Sequence, residues 1–553
     1  MQMTTVSVSP ATFAFFKAAG VFRVKSDEKA RKRFDEALPD MDDAELAALG
    51  EPDPDALFAA LLKRRDDDKA ARIAADVARE ERKAEREAAE KAKPITGGMD
   101  GARDHVRDLP AGCYVLTSAQ NNTDVDAAFL ASLHVYCKAH GAQLLAGRMT
   151  YNKGGFQQPD VDADEGVYYS DAIKPYLVRG TLNLGGAFYF LADANVIPTA
   201  KWPTSSFGGE TPQGVGAIVP ATRIEMRTTA ALKGSKSKAI FSTGAVTKRN
   251  YIMRKTGAIA AAGHNIGAVF VNTITGEFRH LEQMAGSEGF YDVDGFYSPE
   301  GFEPLEAGSV AAFQPGDIHA EKTSDAAIQA ACDMVRRFQP SNVFLHDLLD
   351  FTSRNHHNIK DPFFLAEQVK RGATVAGDLR IAANVLARFA EATPGKVRVI
   401  VSNHDQAADK WLSTVDWRFD PINADTYLTL ALAKLQSTDP RFNTLEYACQ
   451  TIGGGVASNV KFHVLDESVI IAGVECGSHG HNGANGSKGS PKQFAGLGVP
   501  MNTGHTHSPS IYGSCYTAGA LEMEMGYNVG ASSWAVAHTI TYDNGQRQVL
   551  FSR

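Results

Sequence analysis

Apolar positions change their period several times along the chain, and each change marks a different kind of element. Over the first 60 residues, short helical stretches such as Ala11–Ala19 and Asp43–Leu49 alternate with breakers at Pro39, Pro52 and Pro54, which predicts a small helical unit. Between Leu61 and Lys93 the apolar pattern fades, and 11 Lys/Arg and 9 Asp/Glu share 33 residues with many alanines. Such a segment suits one long, exposed helix, either a solvated linker or a surface for a second copy of the chain or for DNA. Pro94, Gly97 and Gly98 end it. From Cys113 the pattern gives a strand at Tyr114–Thr117, an amphipathic helix at Val125–His140 and a strand at Gln143–Met149, a βαβ-like start. Residues 185–300 carry Gly, Val, Ile and Phe in short alternating runs, which predicts several strands and no long helix. After Ser309, apolar runs at Val310–Phe313, Asn342–Leu345, Val397–Val401, Val469–Val474 and Val499–Asn502 alternate with helical patterns, the signature of an α/β layered domain.

Composition narrows the class. The 553 residues amount to three or four folding units at about 100–200 residues each. A hydrophobic content of 44%, a charged content of 22% and a mean hydropathy of -0.22 exclude wholesale disorder. The sequence holds no apolar run of about 18 residues and no secretory leader, so the expected location is the cytoplasm, with no membrane partner. Six dispersed cysteines without a CxxC pair exclude a disulfide framework and a cysteine-type zinc site.

The net charge of -8 argues against a uniformly basic coat for nucleic acid, but one stretch departs from it. Nine Lys/Arg (Arg223, Arg227, Lys233, Lys236, Lys238, Lys248, Arg249, Arg254 and Lys255) stand against the single acid Glu225, with Phe241 and Tyr251 interleaved. This is either solvated loop charge or a stripe that neutralises phosphates while an aromatic offers a stacking face. Lys248, Arg249, Arg254 and Lys255 are its candidate DNA contacts. No GxxxxGK[ST] loop suggests an ATPase.

The polar residues that follow the later apolar runs are Asp317 and His319, then His346, Asp347 and Asp350, then Ser402, Asn403, His404 and Asp405, then Ser478, His479 and Gly480, and last Gly504, His505 and His507. Open α/β sheets bind ligands at such strand ends. Carboxylate, amide and imidazole donors suit divalent cations, and five converging loops could hold two. If these segments are extended, period-two alternation sends Asp317 and His319 to one side, and His505 and His507 likewise. Arg354, His356 and His357 could grip a non-scissile phosphate or sit on a surface loop. Glycines from Gly477 to Gly489 would let backbone amides approach a phosphate. His481 is read as an outer or substrate-facing group and Asp405 as a cap of the next helix.

Taken in order, the five segments resemble the blocks of the calcineurin-like metallophosphoesterase superfamily: DxH, GDxxD, GNH[DE], a lone His before Gly, and GHxH. The likeness spans Asp317 to His507, with two departures, His346 and Ser402, where the family has glycine. It implies one metal held by Asp317, His319 and His507, a second by Asn403, His479 and His505, and Asp347 bridging them. His404 would face the leaving group, with Asp350 orienting it. The implied ions are two divalent cations, manganese or magnesium. Longer segments, among them STGAVTKRNYI, HDLLDFTSRNHHN, SHGHNGANGSKGS, GHTHSPSIY and SSWAVAHTITYDNGQRQ, are similar to a phage-encoded group of pre-early proteins implicated in host-DNA degradation.

The resemblance therefore implies an α/β metallophosphoesterase β-sandwich flanked by helices over 306–553. An α/β to β-rich accessory domain over 105–305 and a helical region with the charged helix over 1–95 would precede it. The implied activity is that of a metal-dependent hydrolase, a DNA nuclease, working as a homo-oligomer in the host cytoplasm. A phosphatase or nucleotide phosphodiesterase on small substrates, or a non-catalytic DNA-transfer protein, would satisfy the same motifs.

Overall fold

The computed structural model describes residues 9–21, 23, 26–40, 53–70, 74, 106–151, 168–355, 358–359, 361–526 and 528–552. The expected helix Asp43–Leu49, most of the charged segment Leu61–Lys93, and His356 and His357 lie outside the described residues. The chain forms two compact units, Met1–Lys93 and Pro94–Arg553.

In the first unit, helix Pro10–Ala18 starts where Ser9 accepts a hydrogen bond from the Thr12 amide, and Asp27–Ala37 starts at the Ser26 cap. Residues 54–70 are also helical. Phe16, Val21, Phe34, Leu57 and Leu61 from these segments make a small aromatic-rich core.

The second unit is mixed α/β. Its centre is a six-stranded sheet in the order Val460–Phe462, Lys396–Val399, Asn342–Leu345, Val310–Gln314, Ala537–Tyr542, Arg547–Phe551. The first four strands run parallel and the last two are antiparallel additions. Parallel strands need crossovers, and helices supply them. Asp325–Phe338 is typical: the Ser324 side chain caps it, and Ile328, Ala331, Cys332, Val335 and Phe338 recur at helical spacing and are buried. They pack with Val343, Leu345, Leu379 and Phe389 in the largest core, where each fully buried Val, Leu or Phe contributes about 1.5–3 kcal/mol.

A second sheet has eleven strands and crosses the boundary expected near residue 306. Glu225–Thr229 pairs antiparallel with Ser510–Tyr512, so the basic region and the GHxH segment share one sheet. Ala312 and Phe344 of the six-stranded sheet pack against Val469, Val474 and Cys476 of this one. The strand expected at Tyr114–Thr117 runs over Cys113–Gln120, and Gln143–Met149 pairs parallel to it in a five-stranded sheet beneath helix Ala127–His140. The eight-residue helix Lys255–Ala262 interrupts the otherwise β-rich 185–300 region.

Candidate metal centre

Because Val310–Gln314, Asn342–Leu345 and Lys396–Val399 are parallel, the loops that follow them leave from the same edge of the sheet. Backbone bonds then stitch those loops together. The Ile318 and His319 amides donate to the carbonyls of His346 and Asp347, and the Asp317 amide donates to Gly519. From the second sheet, the loops after Val474–Glu475 and Met501–Thr503 close over the same edge, joined where the Gly504 amide donates to the His479 carbonyl. A side chain at Gly504 would be driven into the Asp317 carboxylate, which explains the glycine of the GHxH segment.

The local conformation differs from the extended alternation expected of the DxH and HxH segments. His319, Asp347, His505 and His507 all adopt left-handed backbone angles, with φ of 48°, 48°, 71° and 54°. Such residues cost about 1–3 kcal/mol each and persist where surrounding structure over-determines them. Turns after strand ends, instead of a pleat, aim these side chains inward.

Asp347 stands at the middle. Its Oδ2 lies 3.3 Å from His319 Nε2, 3.4 Å from His479 Nε2 and 3.9 Å from His507 Nε2. His507 Nε2 is 3.4 Å from Asp317 Oδ2 and 3.0 Å from His319 Nε2. His505 donates its backbone N–H to Asp317 Oδ2 at 2.6 Å, and its ring lies 5.3 Å from that of His479. Asp350 Oδ1 sits between two imidazoles, 3.1 Å from His319 Nδ1 and 3.4 Å from His404 Nδ1. Asp317, His319, Asp347, His479 and His507 are buried, whereas Asn403, His404 and His505 are partly exposed and form the open side.

Charge at the centre is unbalanced. Burial, then the neighbouring Asp347 charge, pushes the Asp317 carboxyl well above the usual range. Burial would also raise Asp347, but His479, His404 and His319 around it hold it well below that range. Burial would lower His319, yet Asp347 and Asp350 push it up to about 10. Burial lowers His507 to about 4.

Several buried acceptor atoms here also lack hydrogen-bond partners: Asp317 Oδ1, both Asp347 oxygens and Asn403 Oδ1, with the ring nitrogens His479 Nε2 and His507 Nδ1. Orphaned buried polar atoms cost about 1–3 kcal/mol each, and one convergent set of them calls for a ligand. Groupings that could hold a metal ion include Asp317, Asp347 and His507; His319, Asp347 and His404; and Asp317, His346 and His479. Mixed oxygen and imidazole donors fit a divalent cation.

Other expected residues have different surroundings. Arg354 is buried, and its guanidinium makes two 2.7 Å bonds to Asp420 and a third to the Ser353 carbonyl, so it is committed to holding loops together. Arg354→Ala should cost about 3–5 kcal/mol by stranding Asp420, read as a lower midpoint in denaturant unfolding. Asp405 does not cap helix Ala407–Thr414. It accepts from the Leu349 amide at 2.9 Å and ties the third loop to the second. The glycine-run amides of Gly477, Gly483 and Gly489 donate to Glu475, Ser487 and His481 within the loop, which removes them as phosphate donors.

In the basic stretch, Phe241 is fully buried and stacks on Phe278, so it is no free stacking face, and the half-buried Tyr251 is held through its hydroxyl against His264 Nδ1. Lys248, Arg249, Arg254 and Lys255 are exposed, the first two on a cleft of about 480 Å³. His481 was outside the expected ligand set; both its ring nitrogens are buried without partners, and its ring lies 5.5 Å from His479. His346, read from sequence only as a change in backbone freedom, places its ring against His479. A glycine position filled by a ligating residue type was the signal.

No helix among the described residues is long and apolar enough to cross a membrane. No family model and no solved structure matches the chain. Over 502 residues the chain is 39% identical to Protein A1 of Escherichia phage T5, an alignment that covers 87% of each protein. The likeness is too extensive to reflect a shared motif alone, and the chain belongs to the family of that phage protein.

Proposed function

We propose that the chain is a two-metal phosphodiesterase acting on DNA, a phage-encoded nuclease of host-DNA degradation. The observation that carries this reading is the convergence of side chains from four other loops on the Asp347 carboxylate, in the order and with the residue types of the calcineurin-like metallophosphoesterases that the motifs resemble. Asp317, His319 and His507 would hold one ion, Asn403, His479 and His505 the other, and Asp347 both. Bound divalent ions supply Lewis-acid polarisation of the phosphate and a nucleophile drawn from water.

The chain's own residues do the rest. His404 sits on the open side. Burial alone would lower its pKa, but Asp347 and Asp350 raise it above the ordinary imidazole value, which favours the protonated form that can donate to the departing oxygen. Asp350 would fix the His404 ring through Nδ1, 3.4 Å away, leaving Nε2 as the nitrogen to meet the departing oxygen. Left-handed turns at four inward-facing residues keep the donors in place before substrate arrives.

A long polyanion needs contacts beyond the pocket, and the exposed Lys248, Arg249, Arg254 and Lys255 provide them. Neutralising all four should weaken binding to duplex DNA and flatten its dependence on log salt by roughly 0.9 per lost phosphate contact. Hydrolysis of a small chromogenic phosphodiester should stay near the native rate; equal loss on both substrates would make the segment structural. The test of the whole reading is incubation with plasmid, linear duplex, single strands and the chromogenic ester, with and without Mn²⁺. Mn²⁺-dependent cleavage of DNA supports it. Turnover of the small ester alone would replace it with a small-substrate phosphoesterase.

A further inference from the structure

His346 ends the loop-side edge of strand Asn342–Leu345, where the family pattern resembled by these motifs has glycine, and it is fully buried. Its Nδ1 lies 3.2 Å from Nδ1 of His479, with the two rings 34° from coplanar. Two imidazole nitrogens at that separation make one hydrogen bond, so one carries the proton and the other presents a lone pair. The opposite nitrogen of His479, Nε2, lies 3.4 Å from Asp347 Oδ2 and has no hydrogen-bond partner.

A ring nitrogen that ligates a cation must offer a lone pair, which puts the proton of neutral His479 on Nδ1. His346 Nδ1 must then be the acceptor. We propose that His346 is a positioning residue that fixes the tautomer and ring plane of His479 for metal binding by accepting its Nδ1–H. The inference rests on the metal reading above.

The choice of residue follows from charge. The partner of a ligating histidine is often a carboxylate. At this position a carboxylate would add another negative charge beside buried Asp347, Asp350 and Asp317, where the Asp347 charge already pushes the Asp317 carboxyl up. A neutral imidazole supplies the same lone pair without that charge.

The test is calorimetric titration of the full-length, metal-stripped protein with Mn²⁺, comparing the native chain with His346→Asn, His346→Gln and His346→Leu. Asn places an amide oxygen near the native Nδ1, Gln places its polar end near the native Nε2, and Leu keeps comparable bulk with no acceptor. Asn should hold Mn²⁺ within about 3-fold of the native affinity, and Leu should lose about 10–100-fold. Native affinity in the Leu variant, or failure of all three to fold by circular dichroism, would assign His346 to packing and overturn the proposal. Retention by Gln but not Asn would make His346 a direct ligand instead. Equal loss in Asn and Leu would also overturn the acceptor role. If the native chain takes up no divalent ion, the metal reading itself fails, a result distinct from an unaffected variant.

Discussion

Asp347→Ala should lose both Mn²⁺ ions in calorimetry and fall to background on every phosphodiester. Asp347 Oδ2 lies within 3.3–3.9 Å of imidazoles on three different loops, so under the proposed reading one substitution removes the group that would serve both ions. Native metal content in this variant, read by elemental analysis, would sink the bridging assignment. The same titration on the native chain should depend on pH. Burial and the Asp347 charge raise the Asp317 carboxyl, and Asp347 and Asp350 push His319 up to about 10, so before a cation binds both groups hold their protons more tightly than usual. Cation uptake must displace those protons. Affinity should therefore rise with pH through the neutral range, and heats measured in buffers of different ionisation enthalpy should report proton release. A pH-independent affinity would place the ions away from these two groups.

His404→Ala should keep its metal content and lose about 10²–10⁴-fold in rate. The native alkaline limb of the kcat/KM profile, where the general acid deprotonates, should disappear with it. Loss of an ion instead would move His404 among the ligands, an outcome given weight by its grouping with His319 and Asp347. Asp350→Asn separates two roles, because Asp350 Oδ1 faces both His319 Nδ1 and His404 Nδ1. It should lower the rate less than His404→Ala and also weaken Mn²⁺ binding by about 10-fold or more, as loss of a metal ligand's outer partner does. An unchanged affinity would restrict Asp350 to orienting His404.

The placement of the candidate site residues was legible because it is local. Asp317, Asp347, Asn403, His479 and His507 each follow an apolar run that folds as a strand or lies beside one, and strand ends are read within a few residues. What was not legible depends on distant partners. Nothing in Glu225–Thr229 announces pairing with Ser510–Tyr512, since alternation fixes which faces are apolar and is silent on the neighbour. Arg354 reads as a free cation until Asp420, 66 residues later, comes alongside it. The inward aim of His319 and His507 was expected from a pleat but arises from left-handed turns, a backbone state that non-glycine sequence does not advertise. Phe241 looked like a stacking face in a basic stripe, yet its place on a central strand buries it.

The loop that carries Asp317 hangs from the far end of the chain. Its amide donates to Gly519, and Val310–Gln314 pairs with Ala537–Tyr542. The strand Val310–Gln314 thus waits for one that lies far downstream in the chain, a contact of high sequence separation that forms late and slowly. At about 5–20 residues per second a ribosome takes roughly 10–45 s to deliver that partner. Over that interval the side chains of the candidate centre are added one after another without the framework that gathers them. Topology alone thus ties assembly of the candidate centre to the arrival of Ala537–Tyr542.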